Sequence, residues 1–333
     1  MKVKINKLTN LSDRILTKFG YSKEERSYCT ELLLEGELTG KFSHGFNRLI
    51  SMKKMIDEGK VQVNSKKIEI KKETTQSILV DGKRKTGFYV IPKTFDIALE
   101  KVKKNKVNIF CGGVFNTSPA AGMVGYYARK AAEENLIYLG FHNSMSYLIP
   151  FGAKKSLFGT NPVTIGIPTN DIPVIWDCSS SKVSVGSIVL TKKEGKKIPK
   201  GIALDENGKP TLDPEQALKG GILPFSEHKG SGMAMIVELL AGALTGSSIR
   251  KEKQWNWGSF FILINPSMFR PIDEFKNEVE QTIKDLKALS KAKGFKQIYY
   301  PGERSQNLRR SLLKKGKIEV NDVVYKELEN VMK

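Results

Sequence analysis

Between Ile78 and Trp176, short apolar runs alternate with longer segments whose apolar residues recur at helical spacing. Ile78-Leu79-Val80, Val107 to Phe110, Leu136 to Phe141, Val163 to Ile167 and Val174 to Trp176 read as strands. Continuous apolar runs of this length, bounded by turn residues, suit strands buried on both faces. Thr94 to Lys103 sets Phe95, Ala98, Leu99 and Val102 on one side of a helix, and Met123 to Glu134 reads as the next helix. Such alternation predicts a largely buried α/β sheet.

The flanks differ. Residues 7 to 60 read as helical. Leu11, Ile15, Leu16 and Phe19 share a face that Gly20 closes, and Ser22 with Glu25 forms a capping box for the second helix. A third helix, opened by Ser43 and carrying Phe46, Leu49, Ile50 and Ile56, ends near Gly59. Residues 66 to 72 alternate around Ile68 and Ile70 as a strand. Residues 191 to 221, rich in Lys, Gly, Pro and Asp, read as a long loop. Helix returns at Ser231 to Leu244, a strand follows at Phe260 to Ile264, then a helix at Pro271 to Lys293 and a mostly helical tail from Arg304 to Met332.

A chain of 333 residues suggests about two domains. No apolar run reaches the ~18–20 residues of a membrane span. Met1 to Asn6 carries no apolar signal core, and Cys29, Cys111 and Cys178 form no CxxC pair. The expectation is a cytoplasmic protein in a reducing compartment, with no membrane association. His44, His142 and His228 are widely spaced and belong to no metal-binding motif, so no metal site is expected. The net charge of +20 would attract polyanions or acidic metabolites. The basic residues are scattered and build no aromatic-interleaved stripe, so no nucleic-acid partner is expected.

Ser43-His44-Gly45-Phe46-Asn47-Arg48 carries the most chemistry. On a helix, positions i and i+4 share a face. That spacing would set an imidazole, which moves protons near neutral pH, beside a guanidinium, which grips a carboxylate through two parallel hydrogen bonds. A small 2-oxo or 2-hydroxy acid needs both. Taken alone, the pair also fits ordinary polar residues near a helix start. Gly159-Thr160-Asn161-Pro162 reads as a tight turn, His228-Lys229-Gly230-Ser231-Gly232 as a glycine-rich helix start suited to phosphate, and Pro301-Gly302-Glu303-Arg304 as a strand-to-helix turn. His142 at a strand end reads as structural. No GxGxxG follows a strand, so any dinucleotide is bound by a fold other than the Rossmann fold.

In this order, Ser43-His44-Gly45-x-x-Arg48, Asn143-Ser144, Gly152-Ala153-Lys154, Gly159-Thr160-Asn161-Pro162, the stretch from Ile198 to Pro214, Leu223-Pro224, Lys229-Gly230-Ser231-Gly232 and Pro301-Gly302-Glu303 resemble the type-2 malate/L-lactate dehydrogenase family. The resemblance covers nearly the whole chain. It implies a three-layer α/β/α domain on a mixed sheet, of the L-sulfolactate dehydrogenase kind, over residues 73–299. A helical domain from the chain ends, 1–72 with 300–333, would complete the molecule. It also implies a homodimer using NAD or NADP, with NADH the first choice, on a small anionic 2-oxo or 2-hydroxy acid. His44 aligns with the family's proton donor, and Ser43, Arg48, Asn143 and Lys154 are the substrate contacts it suggests. The cofactor segments fall at Pro173, Val174, Ile175, Trp176, Asp177, Cys178 and Ser179, at His228 and Lys229, and at Gly302, Glu303 and Arg304.

Phe151 to Lys155 and Lys229 to Met233 look most like the 2,3-diketo-L-gulonate reductase branch, with malate, lactate or ureidoglycolate dehydrogenases as alternatives. One departure stands out. The family's second histidine, in an Asn-x-Asn-His stretch, is replaced by Ala120 or, with a shift of one, Pro119. A cofactor-binding homologue with little activity is therefore a further alternative.

Overall fold

The computed structural model describes residues 1–63, 67–119, 121–247 and 255–332. Its centre is a seven-stranded sheet in the order β2-β3-β4-β10-β5-β6-β7. These strands are β2 (Glu69–Glu73), β3 (Ser77–Asp81), β4 (Ile109–Thr117), β5 (Ile137–His142), β6 (Val163–Ile167), β7 (Val174–Cys178) and β10 (Trp257–Ile264). Only β3 and β4 run parallel; every other neighbouring pair is antiparallel. The sheet is thus mixed, as expected, and differs from the doubly wound parallel sheet that GxGxxG accompanies.

Helices α4 (Gly87–Asn105) and α5 (Gly125–Glu133) pack on one face of the sheet. Helix α8 (His228–Glu238) and the π-helical turn Leu239–Ala243 cover the other. α4 starts earlier than the expected Thr94. The Thr86 hydroxyl caps it through the Phe88 N–H, and the helix runs through Pro92 instead of stopping there.

The chain ends meet in the helical part. β1 (Lys2–Lys4) pairs antiparallel with β11 (Lys317–Glu319), beside α1 (Ile5–Lys18), α2 (Lys23–Leu38), α3 (Arg48–Asp57), α10 (Glu303–Lys315) and α11 (Asp322–Met332). The Ser22–Glu25 capping box forms. Glu25 also accepts from Lys85 Nζ at 2.7 Å in a buried pair that ties α2 to the approach of α4. Glu35 binds Arg129 of α5 and Arg309 of α10, joining three helices. Leu16, Leu32 and Leu33 share one continuous core with Phe95, Tyr127, Tyr138 and Phe261 of the α/β layers. β2, which straddles the expected boundary at residue 72, is a strand of the large sheet.

The long loop expected over residues 191–221 is instead part of a small ordered lobe. α6 (Val185–Lys193), β8 (Ala203–Leu204), α7 (Pro214–Lys219) and β9 (Gly221–Ile222) surround their own core of Ile188, Ile198, Ile202, Ala203, Ala217 and Ile222. A six-residue helix and two-residue strands are too short to write a period into the sequence. α9 (Ile272–Ala288) lies on the surface with no fully buried residue. Among the described residues, no helix is long and apolar enough to cross a membrane.

Candidate active site

The joint between α2 and α3 sets the geometry. Phe42–His44 form a single 3-10 turn, Gly45 is extended at φ −87° and ψ −155°, and α3 begins only at Arg48. His44 and Arg48 therefore do not share a helix face, and Ser43 is not a helix cap, contrary to the spacing argument. The Ser43 hydroxyl instead lies 3.0 Å from His44 Nδ1, which leaves Nε2 as the free nitrogen. Gly59, as expected, lies just past the end of α3, at φ +65°.

One cavity of about 770 Å³ still receives both side chains, together with Ser43, Asn143, Asp177, Cys178 and Ser179. Arg48 Nε is buried without a hydrogen-bond partner, and among the described residues Arg48 makes no ion pair. A buried guanidinium N–H without an acceptor is costly unless an anion meets it. Burial, then the Arg48 and Lys41 charges, press the His44 imidazole down to about 3. It is neutral in the ligand-free cavity. Asp177 is held up at about 6 by burial, which outweighs Lys41 and the Gly125 N–H.

A second lobe of about 690 Å³ shares Gly40, Lys41, Phe42, Met123 and Asp177 with the first. It continues to Ile175, Tyr299, Tyr300, Gly302, Arg304 and Ser305. Gly302, at φ +88°, lies against β7; a Cβ there would sit 2.9 Å from Ile175 Cβ and 3.0 Å from its nitrogen. The Ile175 N–H donates to the Pro301 carbonyl at 3.0 Å, so the loop before α10 seals the edge of β7. The two joined lobes make a long trough whose wall at Gly302 is bare backbone, a shape that fits an extended dinucleotide.

Other expected residues stand elsewhere. The Asn143 amide borders the cavity but is committed: Nδ2 donates to Ser247 Oγ and Glu238 Oε1, and Oδ1 accepts the Gly258 N–H at 2.9 Å. Lys154 is exposed and borders neither lobe, its stem lying against Gly208. His228 and Lys229 are exposed at the start of α8, where the His228 ring meets Phe151, and border neither lobe. Glu303 is buried and takes Lys287 Nζ and the Tyr300 N–H, so its role is to hold the loop. Pro173, Val174 and Trp176 lie on β7 or just before it without bordering either lobe.

Thr160 borders the cavity while Asn161 is fully buried, bonding the Ser144 N–H, the Ala234 carbonyl and Glu238. The turn motif is thus half framework and half wall. His142 borders the cavity too, with Nδ1 2.9 Å from Ser259 Oγ and its ring stacked on Tyr127. Pro119 is at the wall, whereas Ala120 lies outside the described residues. Glu37, which lies behind the turn against Gly45, and the wall residues Lys41, Ser184 and Ser187 were not foreseen. The run Leu32-Leu33-Leu34-Glu35-Gly36-Glu37-Leu38 held a signal for the first of these, two carboxylates within an apolar helix face.

Residues 3–329 match the family model for malate/L-lactate dehydrogenase. The malate/(S)-sulfolactate dehydrogenase of Methanothermus fervidus is 33% identical over 326 residues, covering 96% of this chain and 93% of that protein. The NAD(+) ureidoglycolate dehydrogenase of Escherichia coli O157:H7 is 26% identical, covering 98% and 95%. Among solved structures, malate dehydrogenase from Entamoeba histolytica superposes with a TM-score of 0.91 at 26% identity, covering 99% of this chain and 97% of that one. The chain belongs to the malate/L-lactate dehydrogenase family.

Proposed function

We propose that this member of the malate/L-lactate dehydrogenase family reduces the C2 ketone of a small 2-oxo acid to the 2-hydroxy acid with NADH or NADPH. The observation that carries the reading is the Arg48 guanidinium, its buried Nε without a hydrogen-bond partner among the described residues, sharing a cavity with the neutral His44 imidazole. Arg48 would take the substrate carboxylate and fix the direction of the adjoining carbonyl, which is worth a large share of a two-reactant barrier. His44 Nε2 would exchange a proton with the C2 oxygen, while Ser43 holds Nδ1. Burial depresses the imidazole most and the Arg48 charge next; a bound carboxylate cancels the second of these and so shifts His44 toward the protonated donor. When bound, the nicotinamide supplies hydride to C2. Ile175, Asp177, Gly302 and Arg304 would hold the cofactor along the trough.

The sequence motifs favour 2,3-diketo-L-gulonate as the substrate. The similarity to a malate/(S)-sulfolactate dehydrogenase favours a second reading, a malate-type acid. Steady oxidation of NADH or NADPH, tested with 2,3-diketo-L-gulonate, oxaloacetate, sulfopyruvate, pyruvate and phenylpyruvate, separates the two. Cofactor-induced thermal stabilisation with no turnover on any of these acids would instead fit a homologue of little activity. The cytoplasm is the compartment we assign.

We assign a homodimer as well. Met235, Ile236 and Leu239, with Leu244 beyond them, leave apolar surface exposed at 51%, 52%, 43% and 61% along α8 and its extension. Light scattering on the purified chain checks this, and a monomer mass at micromolar concentration would contradict it.

A further inference from the structure

His44 stands on a three-residue turn that cannot fix itself. The bonds from His44 N to Lys41 O at 2.7 Å and from Gly45 N to Phe42 O at 3.2 Å lie within the turn and its start. What places the turn is the end of α2. Lys41 N donates to Gly36 O at 2.8 Å, and a Cβ on Gly36 would fall 2.7 Å from the His44 carbonyl, so the His44 backbone rests directly on that glycine. One residue on, Glu37 Oε1 accepts the Phe46 N–H at 2.9 Å. A Cβ on Gly45 would fall 2.0 Å from that same oxygen, so the carboxyl group also fills the space beneath Gly45. From the opposite side, Gly186 of α6 presses on Ser43, where a Cβ would lie 2.6 Å from Ser43 Cβ. The turn is clamped between α2 and α6, and among the described residues Glu37 is the side chain that both bonds the segment, at Phe46, and supports it, at Gly45.

We propose that Glu37 is a positioning residue for catalysis, which sets the place of the His44 imidazole through the Phe46 N–H and the face of Gly45. This rests on the reading of His44 as the proton donor. Glu37 is 4% exposed and, among the described residues, pairs with no cation. Burial raises its carboxyl to about 7, against the opposing effect of the Phe46 N–H. The geometry asks for an acceptor oxygen that fills the space beneath Gly45, which an amide also supplies. Arg48 is anchored separately, since α3 is seated by Leu49 and Met52, both buried. Losing Glu37 should thus disturb proton transfer more than substrate grip.

The test uses the full chain, a 2-oxo acid it accepts and the preferred cofactor. Glu37→Ala is expected to lower kcat about 10- to 100-fold, the scale of a misplacement of about 1 Å, with KM changed less than about threefold. Glu37→Gln keeps an acceptor in place and should restore kcat to within about threefold. Gly45→Ala should lose activity as Glu37→Ala does, because its methyl meets the carboxyl. In the Glu37→Ala background the same methyl has room, and the double variant should be no worse than Glu37→Ala alone. Full activity in Glu37→Ala, or a Glu37→Gln as impaired as Glu37→Ala, overturns the proposal. If the unaltered chain turns over no 2-oxo acid, the functional reading fails first. Crystal structures then still decide the positioning: His44 must shift in Glu37→Ala and stay in Glu37→Gln.

Discussion

The lobe that holds His44 is walled by side chains from several elements, His44 and Asn143 held by hydrogen bonds and Arg48 left with an unpartnered Nε, while the lobe at Gly302 is walled by the backbone of β7 and by exposed residues at the start of α10. In the first, the Glu37, His44 and Arg48 side chains are placed by α2, the 3-10 turn and α3, and burial raises the carboxyl pKa of Glu37 and lowers the pKa of His44 and of Arg48. In the second, Tyr299, Arg304 and Leu308 are exposed, and the closest fit is between Gly302 and Ile175. The contrast separates two tasks. Chemistry needs groups held to within a fraction of an ångström in a dry place, whereas gripping a long flexible ligand needs a shaped wall.

The largest expected effect falls on the first lobe. His44→Ala should lower kcat by about 10²–10⁴ and leave cofactor-induced thermal stabilisation intact, as steady-state kinetics and a thermal melt would show. If the two lobes are not separable in this way, cofactor binding will fall with it. Arg48→Ala comes next. Loss of a charge-assisted pair of hydrogen bonds predicts a drop of about 10- to 200-fold in kcat/KM, mainly through KM.

Glu37→Gln sharpens the comparison through stability. The folded-state pKa of this carboxyl is raised to about 7 from an ordinary 4.5. Below 4.5 it is neutral in both the folded and the unfolded chain. As pH rises toward 7 the unfolded chain ionises first, so the folded state loses ground, and the loss levels off above 7. Glu37→Gln should therefore match the parent near pH 4 and exceed it by about 2–3 kcal/mol near pH 8, as urea titrations at the two pH values would measure.

Gly302→Ala tests the second lobe. Its methyl meets Ile175 on a backbone at φ +88°, so stability should fall by about 1–2 kcal/mol and cofactor Kd should rise, with kcat at saturating cofactor unchanged. Lys154→Ala should have the smallest effect, under about twofold in kcat/KM, because the side chain lies outside both lobes. A larger loss would mean that the trough extends beyond the walls described.

Much of the fold was legible because its signals are long. The buried strands Leu136 to Phe141 and Val163 to Ile167 and the capped α2 lie where pattern and capping chemistry put them. α7 was hidden because six residues cannot show a helical period, and the first turns of α4 because Pro92 reads as a stop. At the site, residue types were readable but geometry was not. His44 and Arg48 were picked out by a helix spacing that Gly45 breaks, and they meet in one cavity only because α2 carries the turn. Glu37 escaped notice because a carboxylate near a helix end normally faces water, and only the fold shows it under Gly45.

A crystal structure of the chain with NADH and oxamate, an unreactive 2-oxo acid mimic, tests the central claim most directly. The carboxylate should lie against the Arg48 guanidinium, the amide carbonyl oxygen, which stands for the C2 oxygen, within about 3 Å of His44 Nε2, and the cofactor along the trough past Gly302. Oxamate bound away from Arg48, or a nicotinamide ring outside the His44 lobe, would contradict the account.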